Sequence, residues 1–207
     1  MGRQPLTVHV DRQSLLSMRT VLYGLTDAIP KITQMAVNKT LTGVRTDATN
    51  EVSKVVTPKK TTIRNAIAVK KMSAADASAY VRCAGRALGL IHFAARQTKK
   101  GVTVQVLRSE GRKLVKHAFI AAMKSGHKGV FWRQWSGVRK PYNPRKAYGR
   151  MPASYRLPIT ELKSLAVPEV LGHPPTMAAV LKLAQPRLDK NMDDALNYYI
   201  GKVRAAA

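Results

Sequence analysis

The chain has 207 residues, 45% of them apolar, which excludes wholesale disorder and leaves room for one large or two small domains with a real core. Its formal charge of +25, from 36 Lys and Arg against 11 Asp and Glu, points to an acidic partner: nucleic acid first, then an acidic protein or a membrane surface. A single cysteine, Cys83, excludes an intramolecular disulfide and a Cys/His zinc framework, and reads as a small buried residue.

The opening MGRQPLTVHV lacks the apolar core of a signal peptide, and no window reaches the roughly 18–20 apolar residues of a spanning helix. The expectation is a protein made and kept in a reducing cytoplasm before any assembly it joins. The charge is unevenly placed. Residues 1–53 carry six basic and four acidic side chains, residues 54–164 carry 25 and three, and residues 165–207 carry five and four. Two nearly neutral ends therefore flank a very basic middle.

In chain order, residues 2–10 form an arm in which Leu6, Val8 and Val10 alternate. Asp11 is placed to cap a helix from about Arg12, with Leu15, Leu16, Met18, Leu22 and Leu25 as its stripe and Gly24 and Pro30 bracketing its end. A second helix is expected from Pro30 to Val55, where Ile32, Met35, Ala36, Val37, Leu41, Val44, Ala48 and Val52 recur at helical spacing. Thr57 then caps a short helix through Arg64. Ile67 and Val69, the turn Ser73–Asp76 and Tyr80–Cys83 suggest a hairpin, and Leu88–Phe93 fits a strand or a helix end equally. Gln97–Gly101 reads as a turn and Val102–Leu107, β-branched on alternate positions, as a strand.

The next stretch carries the most information. Ala118, Phe119 and Ile120 lead into a polar turn, Lys124–Gly129, and Val130, Phe131 and Trp132 lead out, which is the pattern of a β-hairpin. Gly126 and Gly129 are expected to supply positive φ angles in the turn. Strand alternation sends Phe131 into the core and Val130 and Trp132 to the opposite face. Residues 136–155 hold three prolines, two glycines and five basic residues, the composition of a long loop that becomes ordered on a partner. Leu157, Pro158 and Ile159 suggest a strand ending at a proline, Glu161 and Leu162 a short turn of helix, and Val167-Pro168 another proline stop. From Pro174 a C-terminal helix is expected, with Met177, Val180, Leu181, Ala184, Leu188, Met192, Leu196 and Ile200 on one face and a kink or interruption at Pro186.

The sum is an α+β chain with long N-terminal helices, a small antiparallel sheet in the middle and a C-terminal helix. Its expected regions are an N-terminal helical region (1–56), a basic β-rich domain (57–172) containing the loop 136–155, and a C-terminal helical region (173–207).

Nothing in the residues calls for catalysis, a cofactor or a metal. Paired-carboxylate chemistry and metal-dependent hydrolysis both need clustered acids, and the basic middle has only Asp76, Glu110 and Glu161. Walker, GxSxG and HExxH motifs are missing. His127 reads as a turn residue bonded locally, against a titrating contact near neutral pH. Trp132 reads as sheet core or a subunit contact, against a base-stacking role beside Arg133. Candidate contacts to a partner or DNA are Arg133, Arg139, Lys140, Arg145, Lys146 and Arg150.

The strings GHKGVFWRQW and RLPITELKSLAVPEVL resemble the phage minor tail protein Z family, the lambda-type tail completion proteins. Gly126, His127, Gly129, Val130, Phe131 and Arg133 match the first motif. Leu157, Pro158, Ile159, Glu161, Leu162, Val167 and Pro168 match the second, and IPKITQMAVNKTLTGVRTDA is similar to the family's opening helix. The insert between the motifs is longer than usual, and Lys163–Ala166 stands where the family commonly has Gly-Pro-Ser. The resemblance implies a non-enzymatic virion protein of the tail or neck, assembled in the host cytoplasm and supporting head–tail joining. Implied partners are other copies of itself in a ring, tail tube, tail terminator or neck proteins, and DNA passing through the channel, with no membrane. The alternative reading is a basic nucleic-acid-binding protein of ribosome-associated or chromatin-like type, which explains the charge but neither motif.

Overall fold

The computed structural model describes residues 12–133 and 158–206. The architecture is α+β, as expected: a long helix at each end and small sheets between. The helices are α1 (Arg12–Val55), α2 (Lys60–Asn65), α3 (Val167–Gly172) and α4 (Pro174–Ala206), with a 3-10 turn at Leu90–His92. The strands are β1 (Ile67–Lys70), β2 (Tyr80–Cys83), β3 (Arg96–Thr98), β4 (Gly101–Val104), β5 (Lys113–Lys116), β6 (Phe119–Ala122), β7 (Lys128–Arg133) and β8 (Ile159–Glu161). They pair as β1-β2, β3-β4-β5 and β6-β7-β8.

The chain divides into two compact units. The first takes the chain up to Asp47, Val69–Arg82 and the chain from Ala179; the second takes Ala48–Ala68 and Cys83–Ala178.

In the first unit, α1 continues through Pro30, which corrects the two-helix expectation. A proline inside a helix loses one hydrogen bond and strains the preceding turn. Packing outweighs that local penalty here. Ala28 and Ile32, on either side of Pro30, are buried in one cluster with Ala36 and Ala195 of α4. The rest of the α1–α4 seam is polar. Asn191 Nδ2 donates to Thr40 Oγ1 at 2.9 Å with both residues buried. Arg187 Nη2 reaches both oxygens of Asp47 at 2.9 and 2.7 Å, and Lys39 Nζ lies 2.9 Å from Asp194. Gly43 makes room for this pairing, because a Cβ there would sit 2.5 Å from Arg187 Cδ.

Two further expectations about α4 are corrected. The helix continues through Pro186, and its buried face is not the apolar stripe counted from the sequence. Val180, Asn191 and Ala195 are buried, whereas Leu181, Met192 and Leu196 are exposed. The small and polar residues of the seam occupy the positions that large apolar ones were expected to fill. At the other edge of this unit, Ser73 and Asp76 exchange backbone hydrogen bonds and close the β1–β2 turn.

The second unit is built around a core of Leu90, Phe93, Val102, Val104, Ala118 and Val130. Strands β3, β4 and β5 form an antiparallel meander, with Val102 opposite Val115 and Thr103 opposite Leu114. Gly101 holds φ +150 at the tight β3–β4 turn, where a Cβ would drive into the Val115 carbonyl. The regular strand ends at Val104 rather than Leu107 because the chain turns to meet the end of α1. Thr57 N–H donates to the Val106 carbonyl at 3.2 Å and Arg108 N–H to Val55 at 2.8 Å. Arg108 Nε adds bonds to the carbonyls of Ser53, in the last turn of α1, and of Val56, just beyond it. Thr57 does not cap α2 as expected; its hydroxyl is spent on the Gln105 carbonyl, and α2 begins at Lys60. The Leu88–Phe93 ambiguity resolves as the short 3-10 turn.

Near the C-terminal side of this unit, Pro158 precedes a strand instead of ending one, and Glu161 is its last residue, not part of a helical turn. Val167-Pro168 likewise opens α3. Proline suits the first turn of a helix, where its missing N–H has no intrahelical partner, and Glu169 accepts from the Ala166 N–H at 3.0 Å to complete the start. Cys83 is only partly buried, and burial pushes its thiol pKa up.

Candidate partner-contact surface

The motif hairpin forms because two short apolar runs flank a turn that can close. Phe119 pairs with Phe131, Ile120 with Val130, Ala121 with Gly129 and Ala122 with Lys128. The turn is held by Met123 N–H to the His127 carbonyl at 2.7 Å and Gly126 N–H to the Met123 carbonyl at 2.9 Å. Gly126 takes φ +82, as the sequence predicts; Gly129 does not, and lies within β7. The reason for glycine at 129 is close approach. A Cβ there would stand 2.9 Å from both Glu161 Oε1 and Phe131 Cζ.

The expected core face is also corrected. Val130, not Phe131, enters the main core, where it is 0% exposed. Phe131 is buried on the other face of the sheet, its ring 6.2 Å from Phe119 and 6.4 Å from His127 in an edge contact. Trp132 is 45% exposed and does not serve as sheet core.

His127 does not bond locally. Its Nε2 lies 3.0 Å from Glu161 Oε1, across 34 residues of sequence. Glu161 is brought there by β8, which pairs with β7 so that Glu161 faces Phe131. The carboxylate sits in a slot between two glycines, since a Cβ on Gly89 would meet Glu161 Oε1 at 2.8 Å. Gly89 is fixed in turn by the bonds of its neighbours. Leu90 N–H donates to the Leu162 carbonyl at 2.9 Å and Ser164 N–H to Leu88 at 2.8 Å. The two sequence motifs therefore meet as one clasp: Gly126, His127, Gly129 and Phe131 from the hairpin, Glu161 at the end of β8 and Leu162 just after it.

The sequence gives one usable hint of this clasp, a glycine inside a strand, which marks close approach of another group. The pairing with Glu161 has no local signal. Arg133 extends from the same face, exposed, with its guanidinium 5.3 Å above the Phe119 ring. Arg139, Lys140, Arg145, Lys146 and Arg150, with the rest of 136–155 and Leu157, lie outside the described residues.

Chemically the clasp brings together one imidazole and one carboxylate. Among the described residues, no group of three or more His, Cys, Asp and Glu could hold a metal ion, and no helix is long and apolar enough to cross a membrane. The charge distribution is more telling. The second unit has 22 Lys and Arg against four carboxylates. All four are already engaged within it. Glu51 pairs with Lys54 at 2.6 Å, Glu110 with Lys113 at 2.5 Å and Glu161 with His127, while Glu169 holds the start of α3. The cation excess of this unit is left for solvent ions or a partner.

Neither a curated protein nor a solved structure matches the chain. A family model does match, over residues 21–204, and so takes in most of α1, the hairpin, β8 and most of α4. The chain belongs to the prophage minor tail protein Z family.

Proposed function

We propose that several copies of this chain close into a ring at the head-proximal end of the tail, against tail tube, tail terminator or neck proteins, and support head–tail joining by contact rather than catalysis. Family membership makes it a structural protein of a phage tail. The observation that supports the ring is the uncovered apolar flank of α4. Leu181, Leu188, Met192 and Leu196 follow one another at helical spacing beside the buried face. Leu181 is 61% and Leu196 40% exposed. Fully burying a side chain of this kind contributes about 1.5–3 kcal/mol, so covering what these residues expose would favour a subunit contact. A contact of one surface with a different surface on the next copy closes into a ring when the rotation permits.

The experiment is quantitative mass spectrometry of purified tails. Several copies per tail are expected, and one or two would overturn the ring. Leu181→Asp with Leu196→Asp should give protein that folds by circular dichroism yet fails to enter tails. Normal incorporation of that variant would show that α4 is not the contact.

A further inference from the structure

We propose that the outer face of the β3-β4-β5 sheet binds duplex nucleic acid through its phosphate backbone, without reading sequence. Strand alternation divides this sheet cleanly. Val102, Val104 and Val115 pack on the core. Thr103 therefore faces outward, and so do the residues paired with that side: Arg96 opposite Thr103, and Lys116 opposite Gly101. Lys99 and Lys100 form the β3–β4 tip, held beside Lys116 because His117 N–H donates to the Lys100 carbonyl at 3.2 Å. All four cations are exposed. The strands contribute no carboxylate, and the carboxylates of this unit are engaged with other groups, Glu110 with Lys113 among them, so among the described residues no ion pair answers the four.

The composition of the face selects the partner. A protein partner needs apolar or aromatic anchors that can be desolvated at the centre of the contact. This face offers Leu114 alone. Stacking on single-stranded bases needs aromatic rings, and the three strands carry none. Reading bases in a groove needs a free bidentate fork or amide. This face has too few of them for a sequence-specific contact: Arg112 is spent on the carbonyls of Ala94 and Thr103 and on the Thr103 hydroxyl, which leaves Arg96 as a single fork among lysines. Cations set along an antiparallel sheet match the remaining task, neutralising a line of phosphates. The inference deepens the tail reading, but its test uses the isolated full chain, so a wrong copy number would leave it standing and its failure would leave the ring standing.

The test is fluorescence anisotropy of a mixed-sequence DNA duplex against salt, comparing the wild-type chain with Arg96→Gln/Lys99→Gln/Lys100→Gln/Lys116→Gln. Losing four phosphate contacts should flatten the slope of log K against log salt by about 3–4, so that the affinity lost between about 50 and 200 mM salt shrinks about 100-fold. The change should be the same for duplexes of different sequence. The control Lys59→Gln/Lys124→Gln/Lys128→Gln/Lys163→Gln removes equal charge from other exposed sites of the same unit. An equal flattening in the control would refute the face as the site. Displacement of the duplex by poly-glutamate at equal charge concentration would instead assign it to an acidic protein and overturn the proposal.

Discussion

Gly129→Ala tests whether the clasp of the two motifs is a packed contact or a coincidence of chain path. In an ordinary strand the change would favour the fold by about 0.5–1 kcal/mol, since glycine loses the most backbone freedom on folding. Here the new methyl meets Glu161 Oε1 and Phe131 Cζ, each at 2.9 Å. The carboxylate is the free end of a side chain, but it is held by His127 and cannot retreat toward Gly89 without filling that slot. The Phe131 ring is buried against Phe119. Overpacking of this kind costs about 1–3 kcal/mol, so the net effect is a loss of about 1–2 kcal/mol. Urea unfolding followed by circular dichroism should show the midpoint falling with the slope unchanged. In a Glu161→Ala background one of the two contacts is gone, and the penalty should drop by about 0.5–1 kcal/mol. Gly126→Ala is the contrast. With φ +82 and no atom within 4 Å, it costs about 1–2 kcal/mol through backbone strain alone and should ignore the state of Glu161. A Gly129→Ala protein that is more stable than wild type, or a penalty unmoved by Glu161→Ala, would refute the clasp.

Asp47→Ala leaves Arg187 without its carboxylate in the α1–α4 seam and should cost about 1–2 kcal/mol in urea unfolding; the pair is unequally exposed, 12% for Asp47 and 40% for Arg187, which holds the loss below that of a fully buried pair. An unchanged midpoint would show that the seam does not depend on it. Asp76 is the pH probe. Lys70, 2.6 Å away, and the hydroxyl and N–H of Ser78 hold its carboxyl well below the usual range. Because the folded pKa is the lower one, the stabilisation is complete above the unfolded value of about 3.9 and is lost as pH falls through the folded value. Carboxyl NMR should find Asp76 still ionised near pH 3, and titrating closer to the usual range after Lys70→Gln, with the Ser78 bonds holding the remainder of the shift; protonation of the wild-type group with the other aspartates would refute the pairing.

Local chemistry made the hairpin legible. A glycine that needs positive φ, a polar turn and two apolar runs are all contained within the fifteen residues Phe119–Arg133. The helices at each end were legible by periodicity, but not their limits or faces. Pro30 carries a strong local stop signal, and only the burial of Ala28 and Ile32 against Ala195, far along the chain, explains why α1 ignores it. In α4 the count of large apolar residues selected Leu181, Met192 and Leu196, because it cannot know that the opposing surface of α1 presents Thr40, Gly43 and Asp47 and therefore asks for Asn191 and Arg187. Glu161 read as helical for a related reason: its strand exists only through its pairing with β7. What was missed in each case is a contact between residues distant in sequence.

The first unit is assembled from segments made at opposite ends of synthesis. Thr40 and Asn191, which bond in its seam, are 151 residues apart. At ribosomal speeds of about 5–20 residues per second, α1 waits roughly 8–30 s for the helix that covers it. The second unit draws on Ala48–Ala68 and Cys83–Ala178 and can close meanwhile. Translation thus imposes an order in which the basic unit is finished before the helical one. A chain interrupted before Asn191 would hold every residue of the basic unit while Thr40 of α1 lacked the partner that bonds it.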